Sequence, residues 1–358
     1  MGEEIISYSL RARANLIRRS YIEDMEKHLL AFDNRLSNNG IDTKWICNEE
    51  QLLQTIASFF TKEHFNKFCF DLPDLPDSLK KHPAIKHINI QDFEAHNDAP
   101  EYLVVNADFA IVEDGTLVFL NKRTKSCFNQ VENLIVLLDL DKLVVKASDL
   151  DTLLYLQSYY KNNTWLPSDI KFIQKPFEQI ISNDDFGNSN NTPSSQKVKI
   201  TVLLYDNGIT DRLADPLLRT SLYCIHCDHC KQVCPVYSIT KQHSPIELIK
   251  NGNEQNGEFI NIAGHTTLCG NCNDACPVMI PFTNILLKQM ERTQVYRPHA
   301  SLLKYFSKRP KMNKLNGWPW RTLFLHKHYG KNKPLMDYFQ KKKESFFNLW
   351  QTPKDSDE

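Results

Sequence analysis

Apolar positions recur along the chain in two rhythms. Over residues 4 to about 38, Leu10, Ala14, Ile17, Tyr21, Met25, Leu29, Phe32 and Leu36 return every three or four residues among Arg, Lys and Glu. That spacing lines one face of a helix. Asn39-Gly40 ends it, because glycine takes the left-handed cap conformation without strain. A short strand is expected over 43–47 and a helix over 49–60. A second rhythm follows, of short runs rich in Val, Ile, Leu and Phe: 67–71 (KFCFD), 102–106 (YLVVN), 109–112 (FAIV), 116–120 (TLVFL) and 133–138 (NLIVLL). Bounded mostly by Asp, Gly or Asn, they read as strands. A helical stretch over 150–161 alternates with them. Strands mixed with helices over some 200 residues predict an α/β domain around a largely buried sheet.

Residues 182–196 (SNDDFGNSNNTPSSQ) lack both periodicity and bulk, and are expected to form a mobile loop. The run 199–204 (KITVLL) then reads as a strand able to rejoin the same sheet, which puts the domain boundary near Asp211. The expected domains are 1–210 (α/β), 211–291 (the cysteine-bearing segment) and 292–358. The last is visibly richer in Lys and Arg than in Asp and Glu, shows no strand alternation and reads as helical. Its Trp318, Trp320 and Trp350 read as packing residues, and Lys341–Lys343 as a solvated helix face.

Composition narrows the function classes. Lys+Arg and Asp+Glu are both 43, so no global charge draws the chain to nucleic acid or anionic lipid. The first residues lack the apolar core of a secretory signal, and no apolar run is long enough to span a membrane. The expected location is therefore the reducing cytoplasm, with peripheral membrane contact left open. There, ten cysteines are metal ligands or buried thiols before they are disulfides. Cys47, Cys69 and Cys127 stand alone and read as small buried hydrophobes.

The other seven carry the chemistry. Cys224-x2-Cys227-x2-Cys230-x3-Cys234-Pro235 has the spacing of bacterial ferredoxins. Three thiolates at steps of three wrap corners of one cubane, and the fourth reaches across to a second cluster. Cys269-x2-Cys272-x3-Cys276-Pro277 repeats the pattern with Thr266 standing at its first position. Crossed ligation gives cluster one Cys224, Cys227, Cys230 and Cys276, expected as 4Fe-4S. Cluster two receives Cys234, Cys269 and Cys272, expected as 4Fe-4S or 3Fe-4S. Zinc fits less well, because seven cysteines cannot complete two four-cysteine sites. Cluster two has three readings at this point. It is a three-iron cluster, or a labile one, or a four-iron cluster completed by Thr266, a nearby histidine such as His265, water or a partner side chain. His226 and His229, between the ligands, read as solvated or hydrogen-bonded loop residues. No P-loop, G-x-S-x-G, H-E-x-x-H or G-x-G-x-x-G occurs. No catalytic residue is assigned, and electrons come from a partner or substrate.

The segments CIHCDHCKQVCPVY (224–237) and LCGNCNDACPVMIPF (268–282) closely resemble the iron–sulfur subunit of the bacterial L-lactate utilisation system. ADFAIVEDGTLVFL (107–120) and YDNGITDRL (205–213) resemble its LUD (lactate utilisation) domain. The resemblance implies an α/β LUD fold, similar to the coenzyme A transferase and sugar-isomerase folds. It implies a mainly α-helical two-cluster ferredoxin domain behind it. It further implies a complex with a cysteine-rich-domain protein and a second LUD-domain protein that oxidises L-lactate to pyruvate. The role expected here is that of an electron-transfer subunit acting on lactate or a related 2-hydroxy acid. The alternatives are a metabolite-binding or redox-sensing LUD protein, and a self-contained enzyme using an open iron site.

Overall fold

A computed structural model describes residues 8–59, 68–71, 102–120, 131–167, 169–181, 194–251 and 262–292. The first helical rhythm forms two helices, α1 (Tyr8–Glu23) and α2 (Met25–Asn38), where one was expected. The break falls at Asp24, whose backbone (φ −117°, ψ 33°) leaves the helical region. The apolar face continues across it: Ala14, Tyr21, Met25, Leu29, Phe32 and Leu36 are all buried. A 3.6-residue stripe survives such a break, so periodicity alone does not reveal it. Gly40 sits at φ +78° just beyond α2, the left-handed residue expected there.

Strand β1 (Asp42–Ile46) and helix α3 (Glu49–Phe59) follow. Strands β2 (Phe68–Asp71), β3 (Tyr102–Asn106), β4 (Phe109–Ile111), β5 (Thr116–Phe119), β6 (Asn133–Asp139) and β7 (Leu143–Val144) precede helix α4 (Ala147–Asn162). Then come β8 (Lys171–Ile173), β9 (Glu178–Ile181), β10 (Ser194–Lys197) and β11 (Lys199–Tyr205). Ser194, Ser195 and Gln196 belong to a strand paired antiparallel with β9, not to the loop expected through residue 196. Residues 182–193 lie outside the described ones.

The strands build two main sheets where one was expected. The first is all parallel, in the order β1-β11-β6-β3-β2. The second, β7-β4-β5-β8, is mixed. Val104, Ile135, Leu137, Leu203 and Tyr205 on one face of the parallel sheet pack with Leu52 and Ile56 of α3. Leu103, Val105, Leu134, Val136 and Leu204 are also buried. Burial on both faces explains why β3, β6 and β11 read as unbroken apolar runs. Each such Val, Leu or Ile contributes about 1.5–3 kcal/mol on leaving water. Strand β11 lies between β1 and β6, so the chain does rejoin the same sheet after residue 198.

The cysteine segment is helical and made of short pieces. These are α5 (Ile209–Ala214), α6 (His229–Gln232), α7 (Pro235–Thr240), α8 (Pro245–Asn251), α9 (Ile262–His265), α10 (Asn271–Ala275) and α11 (Phe282–Arg292). Ser244 and Glu247 cap α8 reciprocally: the Ser244 N–H donates to Glu247 Oε2 (2.7 Å) and the Glu247 N–H to Ser244 Oγ (3.4 Å). The described residues of Leu16–Tyr159 and Thr164–Asp211 form one compact unit, and those of Met1–Asn15, Tyr160–Asn163 and Arg212–Glu358 another. The expected helical tail over 292–358, with its tryptophans and lysine run, lies outside the described residues beyond Arg292.

Candidate metal centre

Short loops and single-turn helices bring the seven cysteines together in two sets. Cys224, Cys227, Cys230 and Cys276 line one cavity of about 40 Å³, closed by Ile225, Val278, Ile280 and Phe282. Cys234, Cys269 and Cys272 line a second, of about 10 Å³, together with His265, Thr266 and Leu268. The sets are crossed: the first motif's last cysteine sits with the second motif, and the second motif's last with the first. All seven are free thiols. Among the described residues, no group of three or more His, Cys, Asp or Glu side chains has the closeness that holds a single metal ion.

The backbone is bent to make this possible. His226, Asp228, Leu268 and Met279 adopt φ of 54°, 57°, 54° and 55°, and Gly270 adopts 89°. Each non-glycine residue held there costs on the order of 1–3 kcal/mol, and such strain gathers where a ligand shapes the chain. Three sulfurs accept backbone hydrogen bonds, all at 3.4 Å: Cys224 from the His226 N–H, Cys234 from the Tyr237 N–H, and Cys276 from the Ile280 N–H. N–H donors aimed at sulfur offset the negative charge of a ligated cluster. Cys234 is also the N-cap of α7, with Pro235 at the first helical position, where its missing N–H is no loss.

Burial opposes free ionisation of five of these thiols. Burial pushes the Cys276 thiol up to about 11 and raises Cys227, Cys230 and Cys272 further, with neighbouring sulfur charges adding to the effect. Burial also raises Cys234. Free thiols in these positions keep their protons at neutral pH, whereas iron holds them as thiolates. The donor set therefore fits two iron–sulfur clusters, with four sulfurs for one and three for the other.

Two neighbours were not legible in the sequence. Arg11 of α1 donates through Nη2 to the carbonyl oxygens of Cys276 (2.6 Å) and Asp274 (2.8 Å). Asn15 Nδ2 donates to the Val278 carbonyl at 2.7 Å. Both contacts span more than 260 residues of chain, and no motif announces them. Among the histidines, His226 lines the first cavity. His229 hydrogen-bonds Gln232 Oε1 at 3.3 Å and packs against the Tyr160 ring. Of the isolated cysteines, Cys47 is exposed, against expectation, because it follows the last paired residue of β1. Cys69 lies in β2 but its side chain, like all of Cys127, falls outside the described residues.

Comparison with known proteins agrees with this chemistry. Residues 220–280 match the 4Fe-4S dicluster domain family. The chain is similar to Lactate utilization protein B 1 of Bacillus mycoides (strain KBAB4), 24% identical over 201 residues, which cover 53% of this chain and 38% of that protein. It is also similar to Lactate utilization protein B of Macrococcus caseolyticus (strain JCSC5402), 34% identical over 110 residues, covering 28% and 22%. The matched part thus spans well under half the length of these relatives. The crystal structure of a DUF162 family protein from Deinococcus radiodurans aligns with 51% of this chain and 98% of its own, at 11% identity and a TM-score of 0.34, too low to define the fold. Residues 220–280 are therefore similar to a 4Fe-4S dicluster domain, and the relatives named here are lactate utilisation proteins. Among the described residues, no helix is long and apolar enough to cross a membrane.

Proposed function

We propose that this chain is the two-cluster electron-transfer component of a complex that oxidises a 2-hydroxy acid, with L-lactate the foremost substrate and pyruvate the product. The observation that carries the reading is the crossed gathering of seven cysteines around two adjoining cavities. Cys224, Cys227, Cys230 and Cys276 hold one cluster, and Cys234, Cys269 and Cys272 the other. When bound, the clusters supply one-electron transfer. The chain's own residues hold them, shield them with Ile225, Val278, Ile280 and Phe282, and supply N–H donors to sulfur. The similarity to lactate utilisation proteins supports the substrate class. A LUD-like α/β domain over 1–210, a ferredoxin-type domain over 211–291 and an extension over 292–358 make up the chain. A cysteine-rich-domain protein and a second LUD-domain protein complete the cytoplasmic complex.

The test is purification without oxygen, with iron and sulfide assays and paramagnetic spectra, followed by lactate turnover with an artificial acceptor. The expected result is a chain with two clusters that is inert toward L-lactate alone and is reduced when both partners and lactate are present. Turnover by the cluster-replete chain alone would instead make it a complete enzyme. A chain that binds no iron would remove the electron-transfer role.

A further inference from the structure

Seven thiolates leave one iron of a second four-iron cluster without a sulfur ligand from the chain. The wall of the second cavity contains few groups able to fill that place. Thr266, which stands where a fourth cysteine would in the motif, has its Oγ1 engaged as acceptor for the Leu268 N–H at 3.2 Å. Asn271 and Thr267 offer only hard oxygen or amide groups. His265 differs. It is the last residue of α9 and lines the same cavity as Cys234, Cys269 and Cys272. Its Nδ1 is sealed from solvent and makes no hydrogen bond among the described residues. The His243 ring meets it edge-on, with centroids 4.9 Å apart and planes at 86°, and so restricts its rotation.

A buried nitrogen with no partner, beside three cysteines that need a fourth ligand, is one unexplained feature matching another. We infer that His265, through Nδ1, ligates the iron of the second cluster that Cys234, Cys269 and Cys272 leave without a thiolate. The inference rests on the two-cluster reading above. The Nδ1 lone pair goes to iron, and the ring proton stays on Nε2. Imidazole is an established ligand for iron, and softer than a threonine hydroxyl. It is neutral where a thiolate carries a charge. A cluster with one histidine ligand therefore accepts an electron at a higher potential than an all-cysteine one, as histidine for cysteine does in other iron–sulfur centres. The two clusters of this chain would thus differ in potential by construction, and the second would be the electron's lower-energy resting place.

The experiment uses the full chain, loaded with iron and sulfide without oxygen. Pulsed paramagnetic resonance of the reduced protein should show the coupling of a directly bound nitrogen, changing to the nitrogen-15 pattern when histidine alone is labelled. His265→Ala should lose that coupling and fall from about eight irons to about seven per chain as the second cluster becomes a three-iron form. His243→Ala should keep the coupling, which excludes the neighbouring ring. His265→Cys should keep all the iron and lower the second potential. Two full clusters without nitrogen coupling in the wild type, or a second cluster that settles at three irons there, overturns the assignment of His265 while leaving the electron-transfer reading intact. A wild-type chain that takes up only one cluster overturns the two-cluster reading, and His265 with it. The wild-type spectrum decides even if a variant misfolds.

Discussion

At the scale of the residue, Cys276 tests how the ligands are divided. It follows Cys272 in the second motif, yet lines the cavity of Cys224, Cys227 and Cys230 and is 4% exposed. Its sulfur accepts the Ile280 N–H, a bond that a serine oxygen could also accept. A hydroxyl at that position is a poor iron ligand unless deprotonated, and soft thiolate suits iron–sulfur clusters better. Cys276→Ser should therefore lose the first cluster and spare the second, taking iron from about eight to about four per chain. Spectra of the variant decide the matter: loss of the cluster held by Cys269 and Cys272, with the other intact, would overturn the division. The motif spacing was legible in the sequence, because ligand spacing is a local property and steps of three and four residues survive any change in the surrounding fold. His265 was legible only as one donor among several. Its distinction lies in a buried, unbonded nitrogen, which is a fact of packing.

At the scale of the element, the cysteine segment is built from helices of four to seven residues, α6 to α10, ahead of the longer α11. Helices that short do not persist alone in water. They are held by side chains from elsewhere. Gln289 of α11 donates to the Ile249 carbonyl at 3.2 Å, and Asn273 and Thr283 bond one another twice. Arg11 holds the end of α10 by gripping the Asp274 and Cys276 carbonyls. Its charge also sits beside the first cluster's ligand. Arg11→Gln should cost about 1 kcal/mol of stability, the usual net loss when hydrogen bonds to exposed and part-buried carbonyls go. It should also lower the potential of the first cluster, since a positive charge nearby favours the added electron. Redox titration against the wild type checks this; a second potential that moves while the first stays still would contradict it. Arg11 escaped the sequence reading because it lies in a stripe that reads simply as amphipathic helix. The same stripe concealed the break at Asp24. Strands β3, β6 and β11, by contrast, were legible almost to the residue, since full burial writes itself as unbroken Val, Leu and Ile, whereas β7, β8, β9 and β10 were not expected as strands. The division of the strands into two sheets was not legible, because pairing partners are non-local.

At the scale of the whole molecule, the two compact units rest on different sources of stability. The unit of Leu16–Tyr159 and Thr164–Asp211 has a parallel sheet with apolar side chains buried on both faces. The other counts Cys227, Cys230, Cys272 and Cys276 among its buried core residues. Where ligands are core, metal affinity becomes folding free energy, since the unfolded chain has no formed site. Without iron, the left-handed residues His226, Asp228, Leu268 and Met279 retain their strain with nothing bound to offset it. The neutral thiols then line cavities that no ligand fills. Removing the iron with a chelator should therefore loosen residues 212–292 and leave the sheet intact. Hydrogen exchange followed by mass spectrometry separates the two responses. Amides of α6, α7, α8 and α10 should exchange at least tenfold faster in the stripped protein, a loss of about 1.4 kcal/mol or more in local opening free energy. Amides of β3, β6 and β11 should keep their protection. Equal protection of 212–292 with and without iron would mean that the helices stand on their own packing and that the clusters are guests. Loss of protection throughout would mean that the sheet also depends on the metal, and would overturn the separation of the two sources of stability.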